Sequence, residues 1–243
     1  MTTSARTMAG GSALESWPAI ALLTGVLSMT AGSLDVIGFL GLGGLFTAHI
    51  TGNLVVLAAH VVIGDAAQLA TVLSVPVFMV MLCLARLLAG GLAAIGRPSL
   101  RPLLLLQFVF LVALLALGIA KGPGIDPGAA PAVVAGMLGV SAMAVQNALV
   151  QVSLKGVPPT AVITTNVTRF ATDIGTVLLG SDPAEMEKAR TRANHTWPSI
   201  VGFIIGCGVG AVCEVRFGLR ALTLPVGLSL LTLAMAQTDA RQS

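Results

Sequence analysis

Apolar residues run along this chain in stretches of about 20, the length at which a helix crosses the hydrocarbon core of a bilayer. Six such stretches lie near 18–40, 70–96, 102–120, 131–154, 198–217 and 220–237. Joints rich in Gly, Pro and basic residues separate them: Gly41-Leu42-Gly43-Gly44, Arg97-Pro98-Ser99-Leu100-Arg101, the stretch 121–131, and Gly156-Val157-Pro158-Pro159. The longest polar stretch, 181–197, is expected outside the membrane. The pattern predicts an all-α protein, a polytopic membrane helical bundle that occupies 1–243 as one integral domain.

Two further segments, 45–64 and 159–180, have a helical pattern but open on polar residues, Thr-Ala-His-Ile-Thr-Gly-Asn and Thr-Ala-Val-Ile-Thr-Thr-Asn. Thr47, Ala48, Ile50, Thr51 and Asn53 match Thr160, Ala161, Ile163, Thr164 and Asn166 at a constant offset of 113. The same offset aligns Pro18-Ala19 with Pro131-Ala132, Ser28 with Ser141, Ala31 with Ala144 and Gly43 with Gly156, which makes ten identities in 36 positions. Biased composition alone would give about three, so the chain reads as an internal duplication of 18–120 and 131–237. Pro76 and Gly96 continue it against Pro198 and Gly218 after a nine-residue insertion.

Topology turns on whether the Thr/Asn segments cross. If they dip in and return, there are six spans and the second half is inverted; if they cross, there are eight and the halves run parallel. With six spans, Arg6, Arg97, Arg101, Lys155, Lys188, Arg190, Arg192 and Arg241 share one side, against Lys121, Arg216 and Arg220 on the other. With eight spans the split is six against five, so the positive-inside bias favours six spans plus two broken or re-entrant helices. The apolar run 54–63 is long enough to keep the eight-span alternative open.

Composition agrees with lipid as the solvent: 56% hydrophobic and 9% charged, where soluble domains carry about a quarter charged. The net charge of +3 comes mostly from segment ends and gives no reason to expect a nucleic-acid partner. Cys83, Cys207 and Cys213 sit in apolar stretches without ligand spacing and read as packing residues. The first apolar run is longer than a signal peptide's core, so an uncleaved first span is expected.

The run Gly32-Ser33-Leu34-Asp35-Val36-Ile37-Gly38-Phe39, followed by Gly43-Gly44-Leu45-Phe46-Thr47-Ala48-His49-Ile50-Thr51-Gly52-Asn53, resembles the signature of the YoaK family, small multi-pass bacterial membrane proteins with a domain of unknown function. The resemblance covers nearly the whole chain. It implies a bacterial cytoplasmic (inner) membrane protein and supplies no substrate or reaction. It also implies an Asn near the end of the second half's first helix and a Thr-rich stretch closing on a Thr-Arg pair, which Asn147, Thr164-Thr165 and Thr168-Arg169 match. The first half departs from it at Leu54-Val55-Val56, where a more polar continuation is expected, so equal contributions from the two halves do not follow.

Broken backbone at membrane depth is tolerated only where protein buries it or a water-filled cavity meets it, so the Gly-rich starts of the Thr/Asn segments point to a site. Asp35 is its first candidate, because an intramembrane carboxylate costs a few kcal/mol unless paired, hydrated or protonated; the alternative is an interfacial cap on the 41–44 joint. Arg169 and Asp173 stand at i and i+4 and can pair with each other, or Arg169 can meet Asp35 across the repeat interface. Thr47, Thr51, Asn53, Thr160, Thr164 and Asn166 offer hydroxyls and amides to a polar solute, or serve as helix–helix glue. His49 is placed for proton handling; with His60 it lacks partners at ligand spacing, so no metal is expected. Gly202, Gly206 and Gly210 form a ridge for a close helix neighbour, in this chain or in a second copy.

The leading expectation is a transporter or permease for a small solute or ion, proton-coupled through Asp35 or His49, without cofactor. No Walker loop is present for direct use of ATP. An embedded enzyme is disfavoured, since the chain has no H-E-x-x-H, no G-x-S-x-G and no paired carboxylates on one helix face. A scaffold role is disfavoured by loops that offer a soluble partner little surface.

Overall fold

The computed structural model describes residues 17–64, 68–122, 126–154 and 157–242; Arg6, Lys155 and Gly156 lie outside them. Eight α-helices follow in order: α1 Trp17–Gly41, α2 Ile50–Ile63, α3 Leu69–Ala94, α4 Leu100–Lys121, α5 Ala130–Ser153, α6 Ile163–Leu179, α7 Pro183–Phe217 and α8 Thr223–Gln242, the last preceded by a 3-10 turn, Gly218–Leu222. Helices α1, α3, α4 and α5, and the stretch from α7 into α8, are long and apolar enough to cross a membrane. The chain is thus an all-α, multi-pass membrane bundle. The polar stretch 181–197 is helical too: Asp182 caps it by accepting from the Ala184 amide, and Pro183 follows at the first helical position, where its missing N–H costs nothing.

Helix contacts fix the direction of every span. Gly25 of α1 lies against Gly202 of α7, Met29 against Gly206, Ser33 against Gly210 and Gly41 against Glu214, so α1 and α7 run the same way. With the side where α1 begins as the near face, α1 ends at the far face, where Gly43 touches Gln68 and Pro127. Helix α5 starts there and ends at the near face, where Ser153 and Ser99 share a hydrogen bond of 2.9 Å. Helix α4 runs from that face, where the Arg101 Nε donates to the Ala236 carbonyl of α8 at 2.9 Å, to the far face, where Gly118 meets Leu219 and Leu222. Helix α8 returns. Helix α3 starts at the far face, with Ala70 against Gly136, and its Ala85 and Ala89 join Leu103 and Leu104 of α4 in the near-face core.

The Thr/Asn segments do not cross. The first leaves the far face at Gly43, reaches inward until Thr47 packs on Gly139 in α5, and α2 brings it back to Gln68, beside Gly43 again. The second leaves the near face beyond Leu154, reaches Thr160 beside Gln146, and α6 returns it to the near face. Six spans with two re-entrant helices result, and each element of the second half runs opposite to its counterpart.

Each half packs on the other. Helix α1 is covered by α7 and α8, while its counterpart α5 is covered by α3 and α4; α2 lies on α3, and α6 on α7. The two counterpart helices form the centre: 83% of the α5 span and 67% of the α1 span are buried, against 17% for α3. The outer faces of α3, α4, α7 and α8 carry exposed apolar side chains such as Leu87, Leu105, Val212 and Leu230, as hydrocarbon contact requires.

The glycine ridge of α7 is occupied within the chain. A Cβ at Gly202 would meet the Gly25 carbonyl, and one at Gly206 the Met29 carbonyl. The reading of this ridge as a contact between copies is therefore corrected: α1 fills it, because only glycine lets two parallel backbones come this close.

Cysteine labelling checks the topology. In a variant lacking Cys83, Cys207 and Cys213, Ser99→Cys and Thr191→Cys are expected to react with an impermeant thiol reagent from one side and Arg220→Cys from the opposite side. Labelling of positions 99 and 220 from the same side would overturn the inverted arrangement.

Candidate functional site

The first re-entrant loop is built around Asp35. Gly43 and Gly44 have φ of 72° and 85°, a left-handed conformation that glycine adopts freely, and they turn the chain back toward α1. Gly38 lets it approach, since a Cβ there would press on the Leu45 carbonyl and the Thr47 methyl. The loop then wraps the carboxylate. Asp35 Oδ1 accepts from the backbone N–H of Thr47 at 2.7 Å, that of Ala48 at 2.6 Å and the Thr47 hydroxyl at 3.1 Å. Its Oδ2 accepts from the His49 N–H at 3.2 Å and faces His49 Nδ1 at 2.5 Å. Five donors offset the desolvation of a carboxylate only 3% exposed, and its charge faces the positive end of α2.

This arrangement fixes the imidazole. With Oδ2 as acceptor, Nδ1 carries the hydrogen, and Nε2 is the ring atom left with a lone pair. The His49 side chain is 32% exposed and is held edge-on by Phe203 at 5.2 Å between ring centroids. Asp35 therefore acts as the orienting partner and His49 as the group that meets the outside.

Asn53 and Asn166 hold the two loops in the same way. The Asn53 Nδ2 donates to the Phe46 carbonyl at 2.7 Å, and the Asn166 Nδ2 to the Pro159 carbonyl at 2.6 Å. The first bracket closes with the Phe46 N–H donating to the Asn53 Oδ1 at 2.9 Å. Pro159 has no N–H to give, so the Asn166 Oδ1 is buried without a partner, a cost of about 1–3 kcal/mol. The Asn166 Nδ2 gains a second acceptor in the Ser199 hydroxyl at 3.0 Å, which shares a hydrogen bond with Ser28. Both Asn side chains are scaffolding, fully buried.

Where the first loop has a carboxylate, the second has an amide. The position equivalent to Asp35 is Ala148, and the Thr160 hydroxyl instead accepts from the Gln146 Nε2 at 2.9 Å. Gln146 also donates to the Leu27 carbonyl and accepts from Gln107 of α4 at 2.7 Å. This amide pair joins α1, α4, α5 and the second loop. Sequence reasoning passed over it, although two glutamines inside apolar helices were the available signal.

Between the loops lies a cleft of about 400 Å³. It is lined by Ala48, His49, Ile50 and Thr51 from the first start, and Ala161, Val162, Ile163 and Thr164 from the second. Asn147 and Gln151 of α5 add polar groups, and Phe78 and Leu82 of α3 an apolar wall. Asn147 donates its amide to the Met143 carbonyl at 2.9 Å, which leaves its Oδ1 as the acceptor available there. His49, Thr51, Asn147 and Thr164 thus come together at the cleft, while Asp35, Thr47, Asn53, Thr160 and Asn166 stand behind it.

Arg169 and Asp173 do not join them. They lie farther along α6 toward the near face, Arg169 about 9 Å from the helix start at 1.5 Å per residue. Both expected pairings are corrected. Asp173 Oδ1 accepts from the Nε and Nη2 of Arg192 on α7, at 2.9 and 2.7 Å, which pins the α6–α7 hairpin. Among the described residues Arg169 forms no ion pair with Asp35 or Asp173, because Asp35 is enclosed by its own loop and Arg169 is exposed on α6.

Comparison with known proteins adds a family and nothing more specific. No curated protein and no solved structure matches the chain. The profile described as "Protein of unknown function (DUF1275)" matches residues 23–235, which takes in both loops, the cleft between them and all six spans, and the chain belongs to that family.

Proposed function

We propose that this protein is a transporter or permease of the bacterial inner membrane that passes a small polar solute or ion through the cleft between its re-entrant helices. One observation carries the reading: the two broken helix starts line a single half-open cleft between the re-entrant segments of an inverted six-span bundle. Non-helical backbone at membrane depth and a midplane site between inverted repeats are the features that transporters combine. The resemblance to the YoaK family supports the inner-membrane placement. Arg97, Arg101, Lys188, Arg190 and Arg192 at the near face support that face as cytoplasmic.

In this reading the solute meets Thr51, Thr164, Asn147 and Gln151, which present hydroxyl and amide groups beside the apolar wall. His49 Nε2 accepts a proton from the cleft, and the resulting imidazolium is held by Asp35, whose charge it neutralises. A proton on His49 changes the charge of the cleft lining, which couples solute occupancy to proton movement. The protein performs no bond-making chemistry of its own.

Reconstitution tests this. Proteoliposomes containing the protein are expected to show uptake of at least one member of a panel of small polar solutes, with internal pH changing alongside. In the cysteine-free background, Thr51→Cys and Thr164→Cys are expected to retain uptake until a bulky thiol reagent is added, and then to lose most of it. Unchanged uptake after complete modification of both positions would rule out the cleft as the route.

A further inference from the structure

A second acidic side chain lies half-buried in the α1–α7 contact, in surroundings unlike those of Asp35. Glu214 projects from α7 into its contact with α1, where its Oε1 lies 2.7 Å from the place a Cβ would take at Gly41. Leu219 of the 3-10 turn closes the same spot. The absence of a side chain at Gly41 is what makes room for the carboxyl group. Its Oε2 is buried with no hydrogen-bond partner, and among the described residues Glu214 forms no ion pair.

Charged and titratable groups surround it without reaching it. On its own helix Cys207 and Cys213 lie toward the interior, and Arg216 toward the far face. The 3-10 turn contributes Arg220, α4 contributes Lys121 at its end, and α1 contributes Asp35, itself fully engaged. Arg216 and Arg220 line a separate far-face cleft of about 350 Å³ with Gly118, Ile119 and Gly122. Gly210 packs on Ser33 and Val36, so Glu214, four residues on, stands about 6 Å nearer the far face than Asp35 does.

With Oε2 buried and no donor reaching it, a carboxylate in this place loses hydration without gaining a partner, a far larger cost than that of burying the neutral carboxyl. We propose that Glu214 is a proton-binding site at the far-face end of the α1–α7 contact, holding its proton in the resting protein. The two acids of this contact then divide the work. Five donors surround the Asp35 carboxylate, whereas none reaches the buried Oε2 of Glu214. Under the transport reading, on which this extension rests, Glu214 is where protons from the far face first bind on their way to His49.

Carbodiimide chemistry tests the proton without any assumption about solute flux. N,N′-Dicyclohexylcarbodiimide enters lipid and adds a protonated carboxyl across one C=N bond; the acyl group then migrates to nitrogen and leaves a stable acylurea, with no co-reactant. In the full-length protein in liposomes, an adduct on Glu214 is expected at pH 6 by peptide mass spectrometry, declining as pH rises to 9, with Asp35 unmodified. Glu214→Gln is expected to fold and to lose the adduct, and Glu214→Asp to retain one. No adduct on Glu214 at pH 6 in protein with an unaltered melting profile would overturn the proposal, as would an adduct insensitive to pH. Protection by Na⁺ at constant pH would make the site one for a metal cation and overturn the proton assignment. Because labelling needs no transport, a protein that labels as expected but moves no solute would remove the transport reading alone.

Discussion

Asp35→Asn is expected to give a folded protein whose proton-linked uptake is abolished. An asparagine keeps the shape of the aspartate, and its Oδ1 can still accept from the Thr47 and Ala48 amides. Its NH₂, however, replaces the acceptor that faces the His49 N–H and Nδ1. Two donors meeting a donor must rearrange. The imidazole then has to take the other tautomer, with Nδ1 as acceptor and the hydrogen on Nε2, which removes the lone pair from the cleft. Asp35→Ala goes further. It leaves three backbone N–H groups of the loop without their acceptor, and the loss is expected at about 3–5 kcal/mol, the range for breaking a buried charged contact from one side. Thermal melts in detergent should rank wild type above Asp35→Asn and Asp35→Ala lowest. Uptake by Asp35→Asn at the wild-type rate would show that Asp35 only holds the loop.

Gly206→Leu is expected to break the α1–α7 contact. A side chain there would drive into the backbone of Met29, and neither of two packed helices can yield to a carbonyl as it could to a rotamer. Overpacking a well-filled contact costs about 1–3 kcal/mol, occasionally more, and contact with backbone belongs at the upper end. The control lies two residues away: a Cβ added at Gly208 would have nothing within 4 Å, so Gly208→Leu is expected to melt near the wild type. Equal losses in the two variants would mean that helix propensity, not the α1 contact, sets the effect.

How much of this was legible follows from range. The spans were readable because hydrocarbon thickness writes their length into the sequence, and five of the six expected segments begin within three residues of their helix starts; the exception, α7, begins earlier, because its membrane segment continues a polar helical stretch. The six-span arrangement was favoured by basic residues alone, since orientation is set by charges at segment ends. The offset of 113 marked Asn53 and Asn166 as equivalent positions, but as groups facing a solute; each instead brackets its own loop, a role that depends on how the chain turns back.

The pairings were not legible. Asp173 lies one turn from Arg169 in sequence, yet Arg192 takes it, because the α6–α7 hairpin folds back and offers a bidentate guanidinium. Gln107 and Gln146 meet across 39 positions, and nothing local marks them as partners. Asp35 stands out as an acid within an apolar run, but its neighbours belong to a loop 12 to 14 positions away whose course depends on left-handed glycines.

The exchange of partners between the halves bears on how the protein is made. Helix α1 is synthesised long before α7 and α8, the surfaces that cover it, so the nascent N-terminal portion must wait in lipid with its glycine-lined flank uncovered. Completion of the bundle is therefore a late, post-insertion event, and two separately produced halves should mature only when made in the same cell.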